Sequence, residues 1–529
     1  MRRRCALAGT AAAVSLAVMV PALPAFGAET LDDGPDLSRF YRQTVTWGAC
    51  DDEPMVPEDM QCGRVTVPLD YATPDRGSLD LALGRLPATG PQRASLVLNP
   101  GGPGERGLGL LMDGAKEFSD LRKGYDVVSF DPRGVGRSHP VSCGSGAVAD
   151  DVDSDADDTD SADGTDDAAA ERLARVLDQR AEQCRKASGP LLDYMGTIHV
   201  ARDMDVIRQA LGDRKLNYLG FSYGTRLGAT YAAQAPDRVG RMVLDGVDSL
   251  TVTRPERWMA TARARQGALD DFLNWCVARG ECGLGTNTRD ARARMAALVT
   301  ELNEKPFQGS DGAELSGEAL VGVFSESLYR SSTWPSLAAA LEPLAQQKDP
   351  GPFLDMLGAQ GNGAALRRAP SEAAAAEADE IPADNSLTAL TAVNCADDPD
   401  PFTVKNLADL QNLEPAFEQA SPVFGDSLIA AVAMCYGKPR GSAFIRQIQD
   451  VDTPRMLLVG SRGDPATPYQ WTEQTAARLG GQAAVLDFKG DGHVAYVQSK
   501  CAKQNVNEFL LYGSLPHSRM SCPAEDPGP

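Results

Sequence analysis

The chain has 529 residues, 43% hydrophobic and 23% charged, a globular composition that excludes a largely disordered or collagen-like protein. Its formal net charge of −22 would repel phosphate backbones, which argues against nucleic acid as the main partner. The length suits one catalytic domain with a large insertion as well as two or three independent domains.

The chain opens on Arg2, Arg3 and Arg4, followed by an apolar run over residues 6–20 and then Pro21 and Pro24. Ala25 and Gly27 place small residues at the −3 and −1 positions of a cleavage site before Ala28. Residues 1–27 therefore read as an export signal. The apolar run is shorter than the ~20 residues that span a bilayer, and no later stretch is apolar enough. The mature chain is expected to be soluble, with no membrane span, and secreted or associated with the cell envelope.

Cysteine usage agrees. Of 11 cysteines, Cys5 leaves with the signal, and the other ten suit up to five disulfides in an oxidising compartment. Sequence does not fix the connectivity. Near neighbours Cys50/Cys62, Cys276/Cys282 and Cys501/Cys522 are the preferred pairs, followed by Cys143/Cys184 and Cys395/Cys435. There is no C-x-x-C, and His139, His199, His493 and His517 form no ligand-spaced cluster, so no metal is expected.

A strand pattern begins at residues 64–67 and 81–83. Short apolar runs follow at 95–98, 127–130, 216–219, 242–244, 456–459 and 484–488, with turn or glycine signals behind them. Such runs suit strands buried on both faces of a mostly parallel sheet. Val200, Met204, Ile207 and Leu211 recur at helical spacing between two of them. Strands alternating with helices give an α/β fold.

Two stretches interrupt this rhythm. Residues 150–167 are rich in Asp, with no basic residue. Asp153, Asp155 and Asp157 faintly suggest a calcium loop, but Asp158 stands where that loop needs glycine and no Glu closes it. The stretch reads as a solvated, disordered acidic insert. Residues 250–450 read mainly as helices, around Trp275, Leu298 and Phe324, broken by an Ala/Glu-rich stretch at 372–379. The expected organisation is a signal at 1–27, a first part of the core at 28–249, a helical cap at 250–450 and the rest of the core at 451–529.

The chemistry is carried by three loops. Residues 216–225 run from an apolar strand into Gly220-Phe221-Ser222-Tyr223-Gly224, then into an Ala-rich helical stretch. A serine on such a sharp turn is forced outward, and the two glycines make room for the crowded backbone. The following N–H, that of Tyr223, can stabilise negative charge on a carbonyl oxygen. After the strand at 95–98 comes Asn99-Pro100-Gly101-Gly102-Pro103-Gly104, where Gly102, with Gly101 second, is the candidate for a further amide donor. A phosphate-cradling loop is disfavoured, because the Lys-Ser/Thr ending is missing.

Downstream, Asp464 lies just past a strand end in a proline-rich turn, where a carboxylate can orient a histidine. Asp245 competes for that role but is expected to bond local backbone. His493 sits in a glycine-flanked loop after the last long strand. The order Ser222, Asp464, His493 is that of a nucleophile, an acid and a base in α/β-hydrolases.

Together these motifs resemble the α/β-hydrolase serine peptidases related to proline iminopeptidase, above all the secreted bacterial tripeptidyl aminopeptidase group. The resemblance rests on Asn-Pro-Gly-Gly-Pro-Gly at 99–104, Asp-Pro-Arg-Gly-Val-Gly-Arg-Ser at 131–138, Gly-Phe-Ser-Tyr-Gly-Thr at 220–225, Asp464-Pro-Ala-Thr-Pro and Gly492-His493. It implies an α/β-hydrolase fold with an inserted helical cap, and removal of short peptides from a free N-terminus through an acyl-enzyme. No metal or organic cofactor is implied. Asn99 replaces the histidine of the proline iminopeptidase motif, which favours the tripeptidyl branch. Glu105 and Arg106 stand where the group usually has small residues.

An exopeptidase must read the substrate's ammonium, most simply with a carboxylate. Asp397 is the candidate chosen, with Asp398 and Glu326 beside it. Thr467 either bonds Asp464 or only shapes the turn. Oligomeric state is left open. The alternative activity is that of a carboxylesterase using the same triad, since fold and triad do not choose the leaving group.

Overall fold

A computed structural model describes residues 35–51, 53, 56–144, 166–280, 282–310, 312–359, 381–516 and 520–528. The expected signal, nearly all of the acidic insert, the Ala/Glu-rich stretch at 372–379 and His517 lie outside the described residues.

The strands are β1 (Gln61–Pro68), β2 (Ser78–Leu86), β3 (Ala94–Asn99), β4 (Tyr125–Phe130), β5 (Leu216–Phe221), β6 (Val239–Asp245), β7 (Phe307–Gln308), β8 (Glu314–Leu315), β9 (Met456–Gly463), β10 (Ala483–Asp491) and β11 (Ser521–Cys522). Nine of them form one sheet in the order β1-β2-β4-β3-β5-β6-β9-β10-β11. β1 and β2, and β2 and β4, pair antiparallel, and every other neighbouring pair is parallel. β7 and β8 form a separate hairpin.

The parallel strands are apolar on both faces because each face is covered. Along β5, Leu216 and Tyr218 join one hydrophobic cluster while Leu219 and Phe221 join another. β9 repeats this, with Met456 and Leu458 on one side and Leu457 and Val459 on the other. Alternate side chains point to opposite faces of a strand, so a continuous apolar run is the signature of a sheet buried on both sides.

The chain leaves the sheet after β6 and returns at β9. In between, the helices Arg254–Arg279, Thr288–Glu304, Gly317–Ser327 and Trp334–Gln347 gather a core of their own, including Phe272, Leu273, Phe324, Trp334 and Leu341. The first begins in a capping box, in which Thr253 and Glu256 satisfy each other's exposed amides. The helix Asn385–Ala396 is different, because Ala389 and Val393 belong to a cluster of the sheet. Its first residue docks it: Asn385 Nδ2 donates to the carbonyls of Gly134 and Val141, and Oδ1 accepts from Gly136 N.

That docking loop is the 131–138 motif. Arg133 is fully buried and forms a two-point pair with Asp203, from Nε at 2.8 Å and Nη2 at 2.6 Å. Asp131 accepts from the amides of Leu108 and Arg137. The five disulfides join Cys50 to Cys62, Cys143 to Cys184, Cys276 to Cys282, Cys395 to Cys435 and Cys501 to Cys522. These are the pairs expected from the sequence.

Candidate active site

Ser222 stands between β5 and the helix Tyr223–Gln234 with φ 54° and ψ −123°. A non-glycine residue in this region is strained, and such strain persists only where surroundings over-determine it. Here the Ser222 amide donates to the Asp245 carbonyl at 2.9 Å, and its own carbonyl accepts from Thr225 N and Oγ1. The flanking glycines are required. A Cβ on Gly220 would lie 2.5 Å from the Gly224 carbonyl oxygen, and one on Gly224 would lie 2.8 Å from Asn99 Oδ1.

The loop after β3 runs directly beside this turn. A Cβ on Gly101 (φ 103°) would sit 2.9 Å from Ser222 Cβ and 3.2 Å from Tyr223 N. The Gly101 amide is committed to Asn99 Oδ1 at 3.1 Å. The amides of Gly102 and Tyr223 have no acceptor among the described residues. The Tyr223 amide directly follows Ser222, and Gly102 follows the Gly101 that packs against it; free N–H groups of this kind are the donors that can receive the charge developing on a carbonyl oxygen under attack.

Asp464 and His493 meet from the ends of β9 and β10. Both carboxylate oxygens lie 2.9 Å from His493 Nδ1. Asp464 is locked by the amides of Ala466 and Thr467, each 2.8 Å from Oδ1, and by Thr467 Oγ1 at 3.0 Å from Oδ2. Thr467 therefore bonds the acid as well as shaping its turn. Burial opposes charge on His493, but the charge and hydrogen bond of Asp464, joined by Asp245 and Asp248, raise its pKa above the usual histidine value.

Asp245 links the two halves. Its carbonyl holds Ser222, while Oδ1 and Oδ2 accept from the amides of Ala495 and Tyr496, just past His493. The next residue, Gly246, faces the imidazole: a Cβ there would be 3.1 Å from His493 Cε1. The side chain thus bonds distant rather than local backbone, and it does not touch His493 Nδ1 in place of Asp464. Full burial pushes its pKa up to about 7, although the two amides and His493 oppose this.

The three acids offered for substrate binding sit differently. Asp397 is buried among its own partners: Thr197 N at 2.8 Å, Thr197 Oγ1 at 2.5 Å and Arg226 Nη1 at 3.1 Å. Arg226 also pairs with Asp248, so this carboxylate belongs to an internal ionic network. Its neighbour Asp398 is paired with Arg254 and Arg446. Glu326 is exposed near the end of the helix Gly317–Ser327, three residues before Tyr329. Glu105 Oε1 accepts from Ser386 Oγ of the helix Asn385–Ala396 at 3.2 Å, and Arg106 pairs with Glu53. Tyr329 itself was not legible in the sequence. Its carbonyl accepts from His493 N at 2.9 Å, and its ring meets the imidazole edge-on with centroids 5.0 Å apart.

A mostly parallel sheet with a serine on its strand-to-helix turn and acid and base loops at the same edge has the architecture of an α/β-hydrolase. Residues 94–310 match the family model described as alpha/beta hydrolase fold, and residues 421–522 match that of the TAP-like protein. The chain is 32% identical over 508 residues to "Serine protease Hip1" of Mycobacterium tuberculosis, covering 91% of each. It is 30% identical over 509 residues to the "Tripeptidyl aminopeptidase" of Streptomyces lividans, covering 92% of this chain and 88% of the relative. It is also 32% identical over 488 residues to "Carboxylesterase B" of M. tuberculosis, covering 87% and 86%. The chain belongs to the tripeptidyl aminopeptidase group of the α/β-hydrolase serine peptidases, and is a serine hydrolase of the peptidase type.

Proposed function

We propose that this protein is an exported exopeptidase that releases short peptides, tripeptides above all, from free N-termini, with Ser222, His493 and Asp464 as its triad. The observation that carries the reading is the double contact of Asp464 with His493 Nδ1, on a loop that Asp245 ties to the nucleophile's own turn. Ser222 Oγ attacks the scissile carbonyl carbon as its proton passes to His493 Nε2. The amides of Gly102 and Tyr223 take the oxyanion. The intermediate collapses with His493 returning the proton to the leaving amine, which leaves an acyl-enzyme. Water, deprotonated by His493, then releases the peptide acid and restores Ser222.

Release of short peptides is supported by the match to the TAP-like model and by the named aminopeptidase relative. It also suits a site that the inserted region approaches from two sides, at Tyr329 and at Ser386. Glu326 is the better placed acid for the substrate ammonium, since Asp397 is spent on Arg226 and Thr197. Export is supported by the five disulfides, which persist in oxidising compartments.

A carboxylesterase using the same residues is the second reading, favoured by the similarity to carboxylesterase B. Purified protein assayed on tripeptidyl anilides with free and blocked N-termini, beside a short-chain ester, separates them. Turnover of the free peptide over the blocked one is expected. Preference for the blocked peptide defeats the exopeptidase reading, and ester turnover alone selects the second.

A further inference from the structure

The loop bearing His493 does not hold its shape alone. Gly492 has φ 95° and Val494 has φ 68°, the latter a β-branched residue in a region such side chains avoid. A residue held there costs about 1–3 kcal/mol and persists only if neighbouring contacts impose it. Asp245 supplies contacts on the far side, at Ala495 and Tyr496. On the near side the contacts come from the inserted helical region.

The Tyr329 carbonyl accepts two donors, His493 N at 2.9 Å and Gln498 Nε2 at 2.9 Å. Gln498 Nε2 also lies 3.4 Å from the His493 carbonyl. The three residues close a small ring around the main chain of the base. Gly492 permits it, because a Cβ there would lie 2.9 Å from the Tyr329 oxygen. The Tyr329 ring then covers the imidazole edge-on. Tyr329 is in turn fixed from behind. Its amide donates to the Glu326 carbonyl, continuing the helix Gly317–Ser327, whose Phe324 lies in the core of the insertion.

We propose that Tyr329 and Gln498 are positioning residues for His493, so that the seating of the inserted region sets whether the base meets Asp464. This rests on the triad reading above. The physical reason is distance. The His493 pKa is raised by a charge that must stay within hydrogen-bond reach, and a misplacement of about 1 Å in such a site costs up to about 100-fold in rate. If the ring drifts from Asp464, burial prevails and the imidazole becomes a weaker base.

The test compares wild type with Gln498→Leu, which removes both amide donors at similar volume, on a free tripeptidyl anilide. Expected are a loss of kcat between about 10- and 100-fold with little change in KM, an acid limb of kcat/KM displaced to lower pH, and an unchanged melting temperature. A merely structural role would lower the melting temperature and leave the acid limb in place. Wild-type kcat and acid limb in Gln498→Leu overturn the proposal. Should that variant fail to fold, Gln498→Asn, whose shorter amide cannot span both carbonyls, is read the same way. Ser222→Ala run in parallel keeps the two readings apart. Full activity there sinks the triad itself, whereas an inactive Ser222→Ala beside an unaffected Gln498 variant sinks only the positioning role.

Discussion

Asp464 holds the imidazole of His493 by Nδ1 with both carboxylate oxygens at 2.9 Å, and the histidine residue is only 8% exposed. A base works only when deprotonated. kcat/KM should therefore fall as pH drops through a value above the ~6.5 of an unperturbed histidine. In Asp464→Asn the charge is gone and burial dominates, so the acid limb should move to lower pH, with kcat reduced on the order of 10⁴-fold. pH–rate profiles of the two proteins measure both effects, and an unmoved limb would count against Asp464 as the partner.

Asp245 makes an opposite statement about stability. Its pKa is pushed up to about 7 by burial, against about 3.9 in an unfolded chain. Between those values the folded protein keeps a proton that the unfolded chain has released, so this group makes stability fall as pH rises. Asp245→Asn should remove that slope of about 1.36 kcal/mol per pH unit, a change on the order of 4 kcal/mol summed over the whole range. Urea midpoints measured across this range report it, and equal slopes in the two proteins would show that the carboxyl is not held neutral.

Ser222→Gly separates chemistry from strain. Glycine adopts positive φ freely, so the variant should gain about 1 kcal/mol of stability while kcat falls on the order of 10⁶-fold. Thermal unfolding and single-turnover kinetics on the same sample test it. A variant that is both active and no more stable would mean that the turn carries neither function.

Glu326→Gln removes a charge and leaves the shape. For substrates with a free N-terminus, KM should rise about 10-fold or more, as expected for loss of an ionic hydrogen bond worth ~1.5–3 kcal/mol. For an acetylated substrate or an ester, KM should stay put. Equal effects on all three would assign the ammonium site elsewhere.

The strands and the chemical loops were legible because their signals are local. Continuous apolar runs mark β3 to β6, β9 and β10, and the glycines around Ser222 mark the turn that needs them. Near-neighbour spacing pointed to Cys50/Cys62, Cys276/Cys282 and Cys501/Cys522, and the second-ranked pairs Cys143/Cys184 and Cys395/Cys435, 41 and 40 residues apart, form as well. What stayed hidden depends on partners far along the chain. The pairing of Asp397 with Arg226 and Thr197, the reach of Asp245 to the His493 loop and the carbonyl of Tyr329 are set by tertiary packing. Periodicity carries no trace of them. The two-residue strand β11 offers too short a run to read.

Gly104 lies so close to the helix Asn385–Ala396 that a Cβ on it would fall 2.5 Å from the Ser386 carbonyl oxygen. The adjacent Asn385 fastens the same helix through three hydrogen bonds, two donated by its Nδ2 and one accepted by its Oδ1. The helix is thus bolted both to the loop after β3 and to the loop of the 131–138 motif. In the exopeptidase proposed above, a wall fixed in this way would select substrates by the length of the protruding end before their side chains are read.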